Sequence, residues 1–189
     1  MDVWCAIRTY PKHALELGNP IPQEPVFFMK AESCIVPFSS IDSCEGDVDH
    51  EVELVLRIGE NGMPDAMAVG LDLTKRSVQD KAKEKGLPWA EAKAFQGSAV
   101  LGDWVDYDPS VTYNLKINGE LKQSGSLNEM SWTPGELLDK LKAWAEIKAG
   151  DILYTGTPSG VGPLMPGDEL TASLYINGDP ISSHSAICS

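Results

Sequence analysis

Several short stretches of the chain carry residue types that can do chemistry. In "DHEVELVLRIG", Glu51 and Glu53 are two apart within a run that alternates from His50 to Ile58. On a strand that spacing places both carboxylates on one face with Val55 and Arg57, about 7 Å apart along the chain. Val52, Leu54, Leu56 and Ile58 point the other way. Such a pair is either the wet side of a half-buried strand or part of a cation site. Asp72 follows the apolar run "AMAVGL" and precedes a polar helical stretch, so it is either a capping acid or a third carboxylate. Three converging carboxylates would suit a hard divalent cation such as Mg²⁺ or Mn²⁺ rather than zinc. Spacing along the chain does not establish convergence.

In "TYPKHALELG", His13 and Glu16 are three apart and share a face if the segment is helical. A carboxylate beside an imidazole orients it and raises its basicity, as a general base requires; the alternative is an exposed His on a surface helix. In "LPWAEAKAF", Lys93 stands between Trp89 and Phe95. A desolvated ammonium there can bind a carboxylate or an oxyanion, whereas a snorkelling one keeps its head in water. The glycine-rich "YTGTPSGVGPLMPGD", residues 154–168, lacks the Lys-Ser/Thr of a phosphate loop. It reads as a rigid loop bringing backbone N–H groups and Thr157 toward a small anion, or as plain turns.

The elements that must position these groups are mostly strands. "NPIPQEP" is a Pro-rich turn leading into the short strand "VFFMK". "AVGLDLTKRSVQDKAKEKG" passes from strand to helix, with Thr74 or Asp72 as the expected cap and Gly86 as the stop. "TYNLKINGELKQSG" and "LYINGDPISSHS" are hairpins turning at Asn118-Gly119 and Asn177-Gly178, pairs that readily supply positive φ. Thr133, Pro134 and Glu136 form a capping box ahead of the stripe Leu137, Leu138, Leu141 and Trp144. Strands do not alternate with helices throughout, which excludes a doubly wound sheet.

At 189 residues the chain fits one domain, and its 42% hydrophobic content is that of an ordinary globular protein. A net charge of −13 argues against nucleic acid or an anionic membrane surface as partner. Neither a signal segment nor an apolar run near 18 residues is evident, so a cytoplasmic protein is expected. Cys5, Cys34, Cys44 and Cys188 are widely separated, which predicts four reduced thiols and no structural zinc.

In their order, "YPKHALE", "PVFFMK", "HEVEL", "GLDLTKR", "KGLPWAEAKAF" and "GDILYTGTPSGVGP" resemble the fumarylacetoacetate hydrolase family, in its small single-domain acylpyruvate hydrolase and oxaloacetate decarboxylase branch. The resemblance runs from about Cys5 to about Leu174. It implies a mixed α/β, strand-rich fold, a β-roll or pseudo-barrel with a few short helices. It implies a single catalytic domain over 1–189 whose first twenty or so residues contribute a lid, and association as a homodimer. The family's metal ligands fall on Glu51, Glu53 and Asp72, its catalytic His–Glu pair on His13 and Glu16, and its catalytic Lys on Lys93. Arg76, Gln79 and Thr157 match residues that hold a keto-acid substrate, and Lys30 matches a Lys near the site. The implied metal is Mg²⁺ or Mn²⁺, with Ca²⁺ as a possible non-native occupant. Departures from the family pattern are Thr9 before Tyr10, Ser77 after Arg76, and a short connection between Glu53 and Asp72.

The activity implied is metal-dependent chemistry on small 2-keto acids through a metal-bound enolate. Hydrolysis of the C–C bond of acylpyruvates is the leading expectation, because a base for water is present. Oxaloacetate decarboxylation, or isomerisation and decarboxylation of 2-hydroxy-dienedioates from aromatic catabolism, is the alternative. A non-enzymatic divalent-ion-binding β-roll is the rival from another class; it explains the three acids but not His13, Glu16 and Lys93.

Overall fold

The computed structural model describes residues 1–16, 18, 20, 22–39, 41, 42 and 46–189. Strand β1 (Val3–Ile7) leads into helix α1 (Pro11–Glu16) and then β2 (Val26–Lys30), β3 (Ile35–Pro37), β4 (Val48–His50), β5 (Val52–Ile58), β6 (Pro64–Asp72) and β7 (Thr74–Lys75). Helices α2 (Arg76–Glu84) and α3 (Ala90–Lys93) precede β8 (Ala99–Leu101), β9 (Val105–Asp106), β10 (Thr112–Ile117) and β11 (Glu120–Ser126). Helix α4 (Pro134–Lys142) is followed by β12 (Ile152–Tyr154), β13 (Gly162–Pro163), β14 (Glu169–Ile176) and β15 (Asp179–Ile187).

A mixed sheet runs β2-β1-β12-β5-β6-β8-β3, with β9 beside β6. The β1–β12 and β3–β8 pairs are parallel. A four-stranded antiparallel sheet, β11-β10-β14-β15, packs against it, and a small sheet β13-β4-β7 lies at the site. This is the strand-rich α/β architecture with few short helices and a curled half-barrel sheet that the motif order implies.

The main core lies between the two larger sheets. Val52, Leu54, Leu56, Met67, Val69 and Leu71 meet Tyr113, Leu115, Ile117, Leu170, Ala172 and Leu174 there. The opposite face of the large sheet is also covered. Val55 packs with Cys5, Ile152 and Tyr154, while Trp4, Ala6 and Leu153 pack on α4 through Leu137, Leu138 and Leu141. Each fully buried Val or Leu stabilises by about 1.5–3 kcal/mol, so burial on both faces sets the register of β5 firmly.

For this strand one open alternative is decided and one expectation is corrected. The face carrying Glu51, Glu53 and Val55 is buried rather than wet. Ile58 leaves the row of Leu54 and Leu56, because the ladder slips between Arg57 and Ile58 and turns it toward the α4 cluster.

Both hairpins form as expected, with Asn118 at φ 53° and Asn177 at φ 53° opening their turns. The capping box of Thr133 and Glu136 is made in full. Trp144, however, lies beyond α4, is 60% exposed, and meets Trp4 edge-on with ring centroids 5.5 Å apart. Neither Thr74 nor Asp72 caps α2; Lys75 takes the cap position without a side-chain bond, since both acceptors are used elsewhere. Gly86 does end the helix, at φ +63°. Cys5, Cys34 and Cys188 are buried and reduced. Cys44, and residues 19 and 21 of the "NPIPQEP" turn, lie outside the described residues. Among the described residues no helix is long and apolar enough to cross a membrane.

Candidate active site

Glu51 lies in the break between β4 and β5, Glu53 is the second residue of β5, and Asp72 ends β6. The antiparallel pairing of β5 with β6 places Val52 opposite Leu71, which brings the end of one strand to the start of the other. The three carboxylates consequently converge: one oxygen from each lies within 4.8 Å of the others, and all three residues are buried.

Burying ionised carboxylates costs several kcal/mol each unless they are paired, so their partners decide what the cluster can be. Lys93, 4% exposed on α3, donates from Nζ to Glu51 Oε2 (2.7 Å), Asp72 Oδ2 (2.8 Å) and Thr74 Oγ1 (2.6 Å). The snorkelling alternative is overturned. Arg76 donates from Nη2 to Glu51 Oε1 (2.5 Å), from Nε to Asp49 Oδ2 (2.7 Å) and from Nη1 to Gln79 Oε1 (2.7 Å). Lys30 Nζ lies 2.8 Å from Asp72 Oδ1 and also donates to the carbonyls of Leu73 and Lys93. Its ammonium is fully buried, so its place is beneath Asp72 rather than among the groups facing the cleft.

The carboxylates fare differently. Burial alone would raise the Glu51 pKa, but Lys93 and Arg76 outweigh it and hold the group well below the usual range. Glu53 accepts a backbone N–H from Gly156 at 2.7 Å. Burial, then Asp72 and Glu51, push its pKa well up, and neither that N–H nor Lys93 offsets them. For Lys93 and Arg76, burial opposes the charged form, but the neighbouring carboxylates more than restore it.

Four carboxylates (Asp49, Glu51, Glu53, Asp72) thus face three cations (Lys30, Lys93, Arg76), leaving one net negative charge when all are ionised. A divalent cation would turn that into one net positive charge and remove the pressure to protonate Glu53. All-oxygen donors at this separation suit a hard divalent ion, so the residues fit the cation the family implies.

The cleft above the triad is small, with a cavity volume of about 50 Å³, and opens to solvent. Arg8, His13, Phe28, Arg76, Gln79, Lys83, Trp89, Lys93 and Thr157 line it along with the triad. Helix α1 forms over the "PKHALE" stretch, and His13, only 5% exposed, faces this cleft. Its Nδ1 lies 3.1 Å from Glu16 Oε2, so the pair read from the sequence is made. Glu16 in turn accepts the Gly160 N–H at 3.0 Å. Thr9, where the family pattern often has Asn, donates from Oγ1 to Thr155 O at 2.7 Å and fastens the chain just ahead of α1.

The glycine-rich loop therefore plays a different part from the one expected. Two of its backbone N–H groups go to the site's own carboxylates, Gly156 to Glu53 and Gly160 to Glu16. Thr157 Oγ1 accepts from Gln123 Nε2 (2.8 Å) and donates its proton to Val52 O (2.9 Å). Gln123 Oε1 accepts from His50 Nδ1 (2.8 Å) and from Val52 N (3.0 Å). Nothing in "KQSG" marked Gln123, because its role arises only when β11 is laid against the site. Arg8 was also missed, though a charged residue just ahead of "TYPKH" was visible. Its left-handed backbone, at φ 54°, is uncommon for a residue other than Gly or Asn.

Gly156 joins the backbone to the triad and is a point of vulnerability. Its φ is +99°, and an added Cβ would overlap Thr9 Oγ1. Gly156→Ala is expected to destabilise by more than the roughly 1–3 kcal/mol of backbone strain alone, and to weaken metal stabilisation by moving Glu53. Denaturant unfolding with and without Mn²⁺ checks this; a variant that unfolds like the wild type would show that the contact is not needed.

Residues 2–184 match the model of the fumarylacetoacetate (FAA) hydrolase C-terminal family, and the chain belongs to that family. It is 40% identical over 191 residues to the oxaloacetate tautomerase YcgM of Escherichia coli, an alignment covering 91% of this chain and 87% of that protein. It is 33% identical to the mitochondrial oxaloacetate decarboxylase of Dictyostelium discoideum, over 88% of this chain and 85% of that one. Among solved structures, the fumarylpyruvate hydrolase of Pseudomonas aeruginosa, in complex with Mn²⁺ and pyruvate, superposes with a TM-score of 0.88. That match has 29% identity and covers 100% of this chain and 89% of the other.

Proposed function

We propose that the chain is a divalent-metal-dependent enzyme that moves a proton on the carbon beside the keto group of a small 2-keto acid. Oxaloacetate is the substrate and interconversion of its keto and enol forms the main reaction. The observation that carries this is the meeting, in one cleft, of a buried His13–Glu16 pair and three buried carboxylates. Proton transfer needs a positioned base; simple decarboxylation does not.

A cation held by Glu51, Glu53 and Asp72 would supply Lewis acidity, drawing charge toward the keto oxygen. Arg76 and Gln79 present a guanidinium and an amide suited to a carboxylate. Lys93 keeps Glu51 ionised, draws Asp72 to it, and lines the cleft. Glu16 accepts from His13 Nδ1–H, which leaves the lone pair on Nε2 free to take a proton. With its hydroxyl proton committed to Val52, Thr157 can meet a substrate only as an acceptor or through its backbone.

A second reading is hydrolysis of acylpyruvates, with the same base acting on water; the likeness to a fumarylpyruvate hydrolase supports it. The family's homodimer belongs to the same proposal. The deciding experiment supplies enol-oxaloacetate, keto-oxaloacetate and acetylpyruvate with Mg²⁺ or Mn²⁺. Loss of the enol absorbance faster than pyruvate appears supports the tautomerase. Pyruvate formed from acetylpyruvate faster than any oxaloacetate reaction would replace it with the hydrolase, and inertness toward all three would remove both.

A further inference from the structure

Helix α2 presents Arg76, Gln79 and Lys83 to the cleft. Their spacing of three and then four residues stacks them on one face, about 10 Å from first to last along the axis. Arg76 and Gln79 are deep and bonded to each other. Lys83 stands at the mouth, its side chain 32% exposed, 3.3 Å from Asp80 Oδ1 and 5.7 Å from the centroid of Trp89, another cleft residue. An exposed pair three residues apart on a helix is weak, so a ligand carboxylate can displace Asp80 readily. Lys81 on the same helix and Lys85 just past its end line a separate groove instead.

The geometry points to Lys83 as the residue that selects substrates with a second carboxylate. The keto-acid end of a ligand lies toward Arg76 and Gln79, and its far end extends along α2 toward the mouth. There the flexible arm of Lys83, backed by the Trp89 ring, meets an anionic terminus. A dicarboxylic 2-keto acid satisfies both ends; a monocarboxylic one leaves Lys83 paired with Asp80. This rests on the keto-acid reading above and names the residue that recognises the far carboxylate of such a substrate.

Binding separates the two ideas. In the Mn²⁺-loaded protein, affinities are measured calorimetrically for 2-oxobutanoate and for difluoro-oxaloacetate, a dicarboxylate with no proton to lose beside its keto group. The wild type is expected to prefer the dicarboxylate. Lys83→Gln should weaken that ligand about 10-fold, the size of one charge-assisted hydrogen bond, and leave 2-oxobutanoate unchanged. Lys83→Arg should retain the preference, and Lys81→Gln, which removes the same charge outside the cleft, should not alter it. Equal loss of both ligands in Lys83→Gln, or no loss of either, overturns the role of Lys83 while the keto-acid site stands. If neither ligand binds the wild type, the keto-acid reading itself fails and takes this inference with it.

Discussion

His13→Ala is expected to lower turnover of the preferred 2-keto acid by about 10²–10⁴-fold, the usual contribution of a positioned general base. His13 is 5% exposed, faces the cleft, and is bonded to Glu16, which the Gly160 N–H holds in turn. Removing the imidazole leaves the triad and its three cations in place, because none of their bonds involves α1. Stabilisation by Mn²⁺ should accordingly be unchanged in the variant. Glu16→Gln should lose less, since the imidazole remains but its orientation and basicity are weakened. Steady-state kinetics paired with metal-dependent melting checks both halves. Near-normal turnover in His13→Ala would remove the pair from the mechanism, and loss of the metal effect would show that α1 shapes the triad itself.

The second large effect is the response to metal. At a hundred times its Kd, Mg²⁺ or Mn²⁺ should stabilise the fold by roughly 2.7 kcal/mol, and Glu53→Gln should abolish most of that. The effect should also depend on pH, with a definite sign. The ordinary pKa of Glu53, 4.5, is raised in the fold by burial and by Asp72 and Glu51. Above pH 4.5, the metal-free folded state therefore keeps a proton that the unfolded chain has released. Stability of the metal-free protein falls as pH rises from there through the raised value. A divalent cation holds Glu53 ionised and removes the dependence, so the metal-induced shift in Tm should be larger at pH 8 than at pH 6. Glu53→Gln, neutral at every pH, should flatten the metal-free profile in this window. Equal metal shifts at both pH values would mean that Glu53 is not the strained member of the cluster.

Much of this protein was legible in local order. Strict alternation marked β5, Asn-Gly pairs marked both hairpins, and Thr133 with Glu136 marked the start of α4, because turn chemistry and capping act over a few residues. The ordered motifs carried the family, and with it the identity of the triad and the His13–Glu16 pair.

What the chain alone left open was environment. Glu53 on an alternating strand is a wet-face residue by local pattern, and it became a buried one because a second layer covers that face of β5. Lys93 reads as a snorkelling surface Lys until α3 folds over β7 and gives its three N–H bonds three acceptors. The loop at 154–168 looked like a cradle for an outside anion, yet its N–H groups at Gly156 and Gly160 serve Glu53 and Glu16. Gln123, more than thirty residues from Thr157, carried no signal before β11 met the site. Spacing along a chain determines which side chains share a face of one element. Whether that face meets water, another layer or an opposite charge is decided by contacts distant in sequence, and those contacts set the charge balance on which the chemistry of this cleft depends.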